Sequence, residues 1–179
     1  MADTYTLQVA GLTRELPICK INEHMDIAAF VMFGDVELTV ACATELLKKC
    51  PEFDVILTAE AKGIPLSYEM ARQSGKPWIP ARKKAKLYMR SPVVVEDESI
   101  TTVGKQTLVL DQKDLDAMNG KRILIVDDVI SSGGSLHALE ALAARCTGTI
   151  VARCAVLLEG DSMNRTDIIS LGKLPCFEH

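Results

Sequence analysis

Apolar residues fall into two rhythms along this chain. Residues 53–58, 122–126 and 149–158 carry short aliphatic runs, clearest in Val55-Ile56-Leu57 and Ile123-Leu124-Ile125-Val126. Unbroken runs of that length suit strands buried on both faces, as in a parallel sheet. Elsewhere the apolar positions recur at helical spacing. Val36, Val40, Ala43 and Leu47 predict a helix over 35–50, which Pro51 closes. Further helices are expected over 64–73 and 135–145, with short strands at 78–81 and 107–110. Strands alternating with helices predict an α/β fold, a parallel sheet flanked by helices. Two stretches stand apart. Residues 4–10 and 15–21 read as short strands punctuated by Gly11 and Pro17, so 1–34 is expected to be a small N-terminal flap. Residues 83–106 show little periodicity and many charges, and are expected to form a flexible loop at the active site. One domain over 1–179 fits this length.

The strand at 122–126 runs straight into Asp127 and Asp128, then Val129-Ile130-Ser131-Ser132-Gly133-Gly134-Ser135 and a helix. Open α/β sheets bind ligands at the carboxyl ends of their strands, where these acids fall. The serine- and glycine-rich turn offers backbone N–H groups and hydroxyls at a helix start, a setting for phosphate. Carboxylates that grasp a diol beside a phosphate cradle point to a ribose 5-phosphate. A receiver domain also places paired acids after a strand, but the stretch after Asp128 is expected to be too short to complete one. A Walker-type loop is excluded, because no Gly-Lys-Ser/Thr follows the glycines.

Composition narrows the picture. Hydrophobic residues make up 48% of the chain and aromatic ones only 4%, so the core must be aliphatic. The net charge of −4 gives no general attraction for nucleic acid. None of the six cysteines forms a C-x-x-C pair, so zinc spacing is absent, and most are expected to be small buried hydrophobes. No apolar run approaches about 18 residues, and Met1-Ala2-Asp3-Thr4 has no secretion-signal character. Cytoplasmic residence with reduced thiols and no membrane contact is the expectation.

Two more segments carry charge suited to anions. The strand at 53–58 leads into Glu60-Ala61-Lys62-Gly63 before a helix. Gly63 permits close backbone approach, and Lys62 can face an anion. After the strand at 78–81 come Arg82, Lys83, Lys84 and Lys86, cations placed to neutralise a highly charged phosphate ester. Such a run is also what a solvated face looks like.

Together these segments resemble the type I phosphoribosyltransferases. Residues 123–135 match that family's phosphoribosyl pyrophosphate motif, with Ser-Ser-Gly-Gly-Ser as a mild variant of its loop. Glu60-Ala61-Lys62-Gly63 resembles the Glu-Ser-Arg-Gly loop of the adenine-specific branch. Residues 81–87 resemble its Arg-Lys-x-x-Lys-Leu segment, and Met32-Phe33-Gly34-Asp35 its Met-Phe-Arg-Asp. Residues 58–66 are also similar to the loop of purine operon repressors, which sense phosphoribosyl pyrophosphate. The resemblance implies an enzyme of purine salvage that moves ribose 5-phosphate to a purine, adenine preferred. It implies that Asp127 and Asp128 hold the ribose hydroxyls, that Ser131, Ser132, Gly133, Gly134 and Ser135 hold the 5-phosphate, and that Val129 and Ile130 also line the substrate site. Ala61, Lys62 and Gly63 would bind pyrophosphate, with Arg82, Lys83 and Lys86 adding cations, some across a dimer interface. Mg²⁺ would be held mainly by substrate and water, with no dedicated protein ligands.

One departure stands out. The closing loop of the adenine-specific enzymes carries a Glu near the purine, and alignment on the following Gly puts Thr102 there. Glu96, Asp97 or Glu98 is a substitute by proximity, and the flap around residues 16–18 is expected to meet the base. A non-catalytic phosphoribosyl pyrophosphate sensor is the alternative, as is a xanthine or orotate enzyme. The repressors add an N-terminal DNA-binding domain, which is not expected here, where the first strand-like run starts at Thr4.

Overall fold

A computed structural model describes residues 4–97 and 106–178. Its centre is a five-stranded sheet in the order β10-β9-β8-β4-β5, comprising β4 (Val55–Ala59), β5 (Trp78–Ala81), β8 (Arg122–Ile130), β9 (Thr149–Glu159) and β10 (Ile169–Leu174). Every pairing in it is parallel. The unbroken apolar runs serve both faces. Leu124 and Val126 join one buried cluster with helices α1 (Val36–Lys49) and α2 (Ile64–Ser74). Ile123 and Ile125 join a second cluster with helix α4 (Gly134–Ala143). Side chains alternate across a strand, so a strand covered on both sides must be apolar throughout.

The second face holds an unexpected element. Pro92–Asp97, inside the stretch expected to be a loop, is strand β6, paired antiparallel with β7 (Gln106–Asp111). Thus 107–110 is not part of the main sheet; with β6 it forms a ribbon that packs on α4. The ribbon is tied to the end of β5 by reciprocal backbone bonds between Arg82 and Val109, of 2.9 and 2.7 Å. Val95 and Leu108 are buried while Val94 is exposed, so the ribbon takes its order from burying one face. A short helix, α3 (Gln112–Met118), then leads to β8.

The N-terminal strands β1 (Thr4–Val9), β2 (Leu12–Asn22) and β3 (Met25–Ala28) form an antiparallel sheet that β11 (Cys176–Glu178) completes from the other end of the chain. Leu7, Val9 and Leu16 are buried in the first cluster, so this sheet is anchored to the body of the fold. Of the cysteines only Cys42 and Cys154 are buried, so the expectation that most would be is corrected. Cys19 is exposed, and Cys50, Cys146 and Cys176 are half-buried. No helix among the described residues is long and apolar enough to cross a membrane.

Candidate active site

The acids lie within β8 rather than beyond it. The strand runs on to Ile130 because its pairing with β9 continues through Val129↔Leu157 and Ile130↔Leu158. Asp128 is buried at 2% exposure and Asp127 is half-buried. The Asp128 N–H donates to Asp127 Oδ1 at 2.9 Å, which orients the first carboxylate. Burial and the like charge of Asp128 push the Asp127 carboxyl well above the usual carboxylate range, against the pull of Lys62. The site stores a carboxylate pair that is costly without a ligand.

On one side lies the turn between β4 and α2. Because β4 pairs with β8, Thr58↔Val126, this turn comes to rest beside the acids. Lys62 Nζ stands 3.4 Å from Asp128 Oδ2. That oxygen accepts no hydrogen bond from the described residues, so the lysine meets it by charge alone. Gly63 is fixed by crowding. A Cβ there would lie 2.4 Å from Thr58 Oγ1 and 3.0 Å from Asp127 Oδ1. Only a residue without a side chain lets the turn lie this close to the acid strand. The Glu60–Ala61 peptide within the turn is cis.

On the other side is the loop after β8. Asp127, Val129, Ile130 and residues 131–136 line a cavity of about 60 Å³. It is open to solvent and lined by the loop's serines and glycines, a setting for a phosphate group. Gly133 has φ of +87°, a left-handed turn that a glycine adopts without strain and that swings the chain into α4. No side chain caps the start of α4, so the cavity lies at an uncapped helix N-terminus.

The basic segment follows β5 directly. Arg82 is committed to Glu60, Nε to Oε2 at 3.1 Å and Nη2 to Oε1 at 3.3 Å, and Nη1 donates to the Tyr88 hydroxyl at 2.7 Å. The guanidinium and the Lys83 N–H hold the Glu60 carboxyl down at about 2. Arg82 therefore braces the Glu60 end of the Lys62 turn. Lys83 is exposed and Lys86 half-buried, and neither is in contact with the acid pair. Leu16, expected near a base, is packed in the core. Thr102 and Glu98 lie outside the described residues; Glu96 is exposed on β6.

Glu159 was not singled out from the sequence. It ends β9 at the same carboxyl edge, half-buried. Burial raises its carboxyl, with Lys62 opposing and Asp128 adding to the shift. The rule that ligands gather at strand ends would have flagged it. Among the described residues no group of three potential ligands could hold a metal. The donors on offer, the carboxylates of Asp127 and Asp128, are hard oxygens of the kind Mg²⁺ accepts, and Asp128 Oδ2 lacks a hydrogen bond. The residues fit a Mg²⁺ completed by other oxygens.

Residues 39–169 match the model of the phosphoribosyl transferase domain. The chain is similar to an adenine phosphoribosyltransferase of Malacoplasma penetrans, 32% identical over 111 residues, which are 62% of this chain and 61% of that one. It therefore spans about three-fifths of that relative's length. The enzyme of the same description from Rhodococcus jostii is 32% identical over 140 residues, 78% of this chain and 71% of the relative. Among solved structures, adenine phosphoribosyltransferase from Thermoanaerobacter pseudethanolicus superposes with a TM-score of 0.64 at 26% identity, covering 77% of this chain and 80% of that one.

Proposed function

This chain belongs to the phosphoribosyl transferase family, and from that premise we propose that it is a purine phosphoribosyltransferase that prefers adenine. One observation carries the reading: the Lys62 turn and the 131–135 loop flank a single acid pair, with Lys62 reaching Asp128 at 3.4 Å. One such segment on each side of the acids suits a sugar with one phosphate at C5 and a pyrophosphate at C1.

In this reading Asp127 and Asp128 accept hydrogen bonds from the ribose hydroxyls. Each such charge-assisted bond contributes about 1.5–3 kcal/mol. Val129, Ile130 and residues 131–135 surround the 5-phosphate, and Ala61, Lys62 and Gly63 receive the pyrophosphate, with Lys83 and Lys86 adding positive potential. Bound Mg²⁺, held by substrate oxygens and water beside the acid pair, would neutralise part of the pyrophosphate charge. The C1–oxygen bond breaks and its electron pair leaves with pyrophosphate. A purine ring nitrogen then forms the C1–N bond and sheds its proton. Positive charge develops on the ribose ring in between, and the acid pair, fixed in advance, favours it.

A homodimer would cover Phe33, Val36, Leu87 and Tyr88, large apolar side chains left exposed. The six unpaired cysteines suit a reducing cytoplasm. Purified protein, Mg²⁺ and phosphoribosyl pyrophosphate mixed with each nucleobase in turn should release pyrophosphate with adenine above all others. Tight binding of phosphoribosyl pyrophosphate with no turnover on any base would overturn the enzyme reading.

A further inference from the structure

We propose that Arg165 is an additional ligand of the sugar's 5-phosphate, the cationic donor that the 131–135 loop itself does not contain. The inference rests on the function proposed above. A phosphate monoester carries about −1.5 to −2 charges near neutrality. The loop offers it three serines and two glycines, and no cation.

Arg165 reaches the loop from beyond β9. There the chain makes a 3-10 turn, Gly160–Asn164, that folds back over the loop. The hydroxyl of Ser162, buried at 2% exposure, donates to the Ser131 carbonyl and pins the turn in place. The Arg165 N–H donates to the Ser162 carbonyl at 3.0 Å, so the arginine leaves the turn at a fixed point. Its guanidinium is oriented by Asp167, Nε to Oδ1 at 3.0 Å and Nη2 to Oδ2 at 2.6 Å. A planar fork held along that edge must turn Nη1 the other way. Nη1 lies 3.6 Å from the place a Cβ on Gly133 would occupy, and it donates to none of the described residues. His137 Cε1 stands 4.0 Å from the same place.

Asp167 does not cancel this role. Its side chain is 53% exposed, so water shares its charge, while the free edge of the guanidinium faces the loop. Glu140, the other acid near Arg165, is paired with Arg153. No sequence signal marks Arg165, because the tertiary fold alone brings it to Gly133.

Titration calorimetry with ribose 5-phosphate, and separately with pyrophosphate and Mg²⁺, tests the assignment on the wild-type chain, Arg165→Gln and Arg165→Lys. Arg165→Gln should weaken ribose 5-phosphate about tenfold or more, the loss of one charge-assisted bond. Pyrophosphate, destined for the Lys62 turn, should bind unchanged, which also reports an intact fold. Arg165→Lys, which keeps the charge without the fork, should fall between. If Arg165→Gln binds ribose 5-phosphate as well as wild type, or loses both ligands equally, the inference is overturned. A wild-type chain that binds neither ligand would instead sink the function proposed above.

Discussion

At Asp127, position and stability pull in opposite directions. Its carboxyl, ordinarily near 3.8, is raised by burial and by Asp128. Between the ordinary value and the raised one, the folded chain holds a proton that the unfolded chain has released. Stability therefore falls as pH climbs through that window. Asp127→Asn keeps an oxygen to accept from the Asp128 N–H but removes the charge. The variant should melt at a higher temperature than wild type at neutral pH, and the advantage should shrink as pH falls to about 4. Ribose transfer should be lost in the same variant. An equal or lower melting temperature at neutral pH would mean that the pair is not strained by mutual charge. Asp127, Asp128 and the serine loop were legible in the sequence because their chemistry is contiguous. Arg82 was legible as a cation but not as a partner of Glu60, since the pairing depends on β4 and β5 lying side by side.

The helices and strands show where local pattern suffices. Helix α1 begins where an acidic cap and helical spacing put it: Asp35 accepts from the Leu38 N–H at 3.0 Å. Asp35 also binds Arg14 of β2 at 2.6 Å, joining the helix to the N-terminal sheet. Loss of the cap in Asp35→Ala should cost about 1–2 kcal/mol in urea denaturation at neutral pH. Arg14, and secondarily the Leu38 N–H, hold the Asp35 carboxyl below its ordinary value. Its contribution is therefore complete above the ordinary carboxylate range and is lost as pH falls through the lowered value. The gap between wild type and variant should close in acid; a gap independent of pH would remove the charge from the account. The ribbon β6–β7 was missed for a different reason. Val93-Val94-Val95 is too short a run to set a period among so many charges, and α4 supplies the face that makes it a strand.

Over the whole molecule, the site is assembled at one edge of one sheet by elements distant in sequence. Ligand that binds only this assembled state must stabilise the fold. Phosphoribosyl pyrophosphate with Mg²⁺ at about a hundred times its Kd should add about 2.7 kcal/mol, raising the melting temperature by about 5–10 °C for a chain of this size. Chelation of Mg²⁺ should diminish the rise. No change in melting temperature at saturating ligand would argue against a site at this edge. The N-terminal sheet is closed by β11, which pairs with β3 across most of the length of the chain.

The sequence by itself determined the α/β class, the strand carrying the acids and the serine-glycine loop after them. Each of these is written in period, burial and turn chemistry over a few adjacent residues. Tertiary structure alone decided that β4 lies against β8 and so puts Lys62 on Asp128. It also decided that the turn after β9 folds Arg165 back onto Gly133. Aliphatic strands buried on both faces are nearly interchangeable as neighbours, so their order is set by how helices and connections pack the whole chain, which no local pattern records.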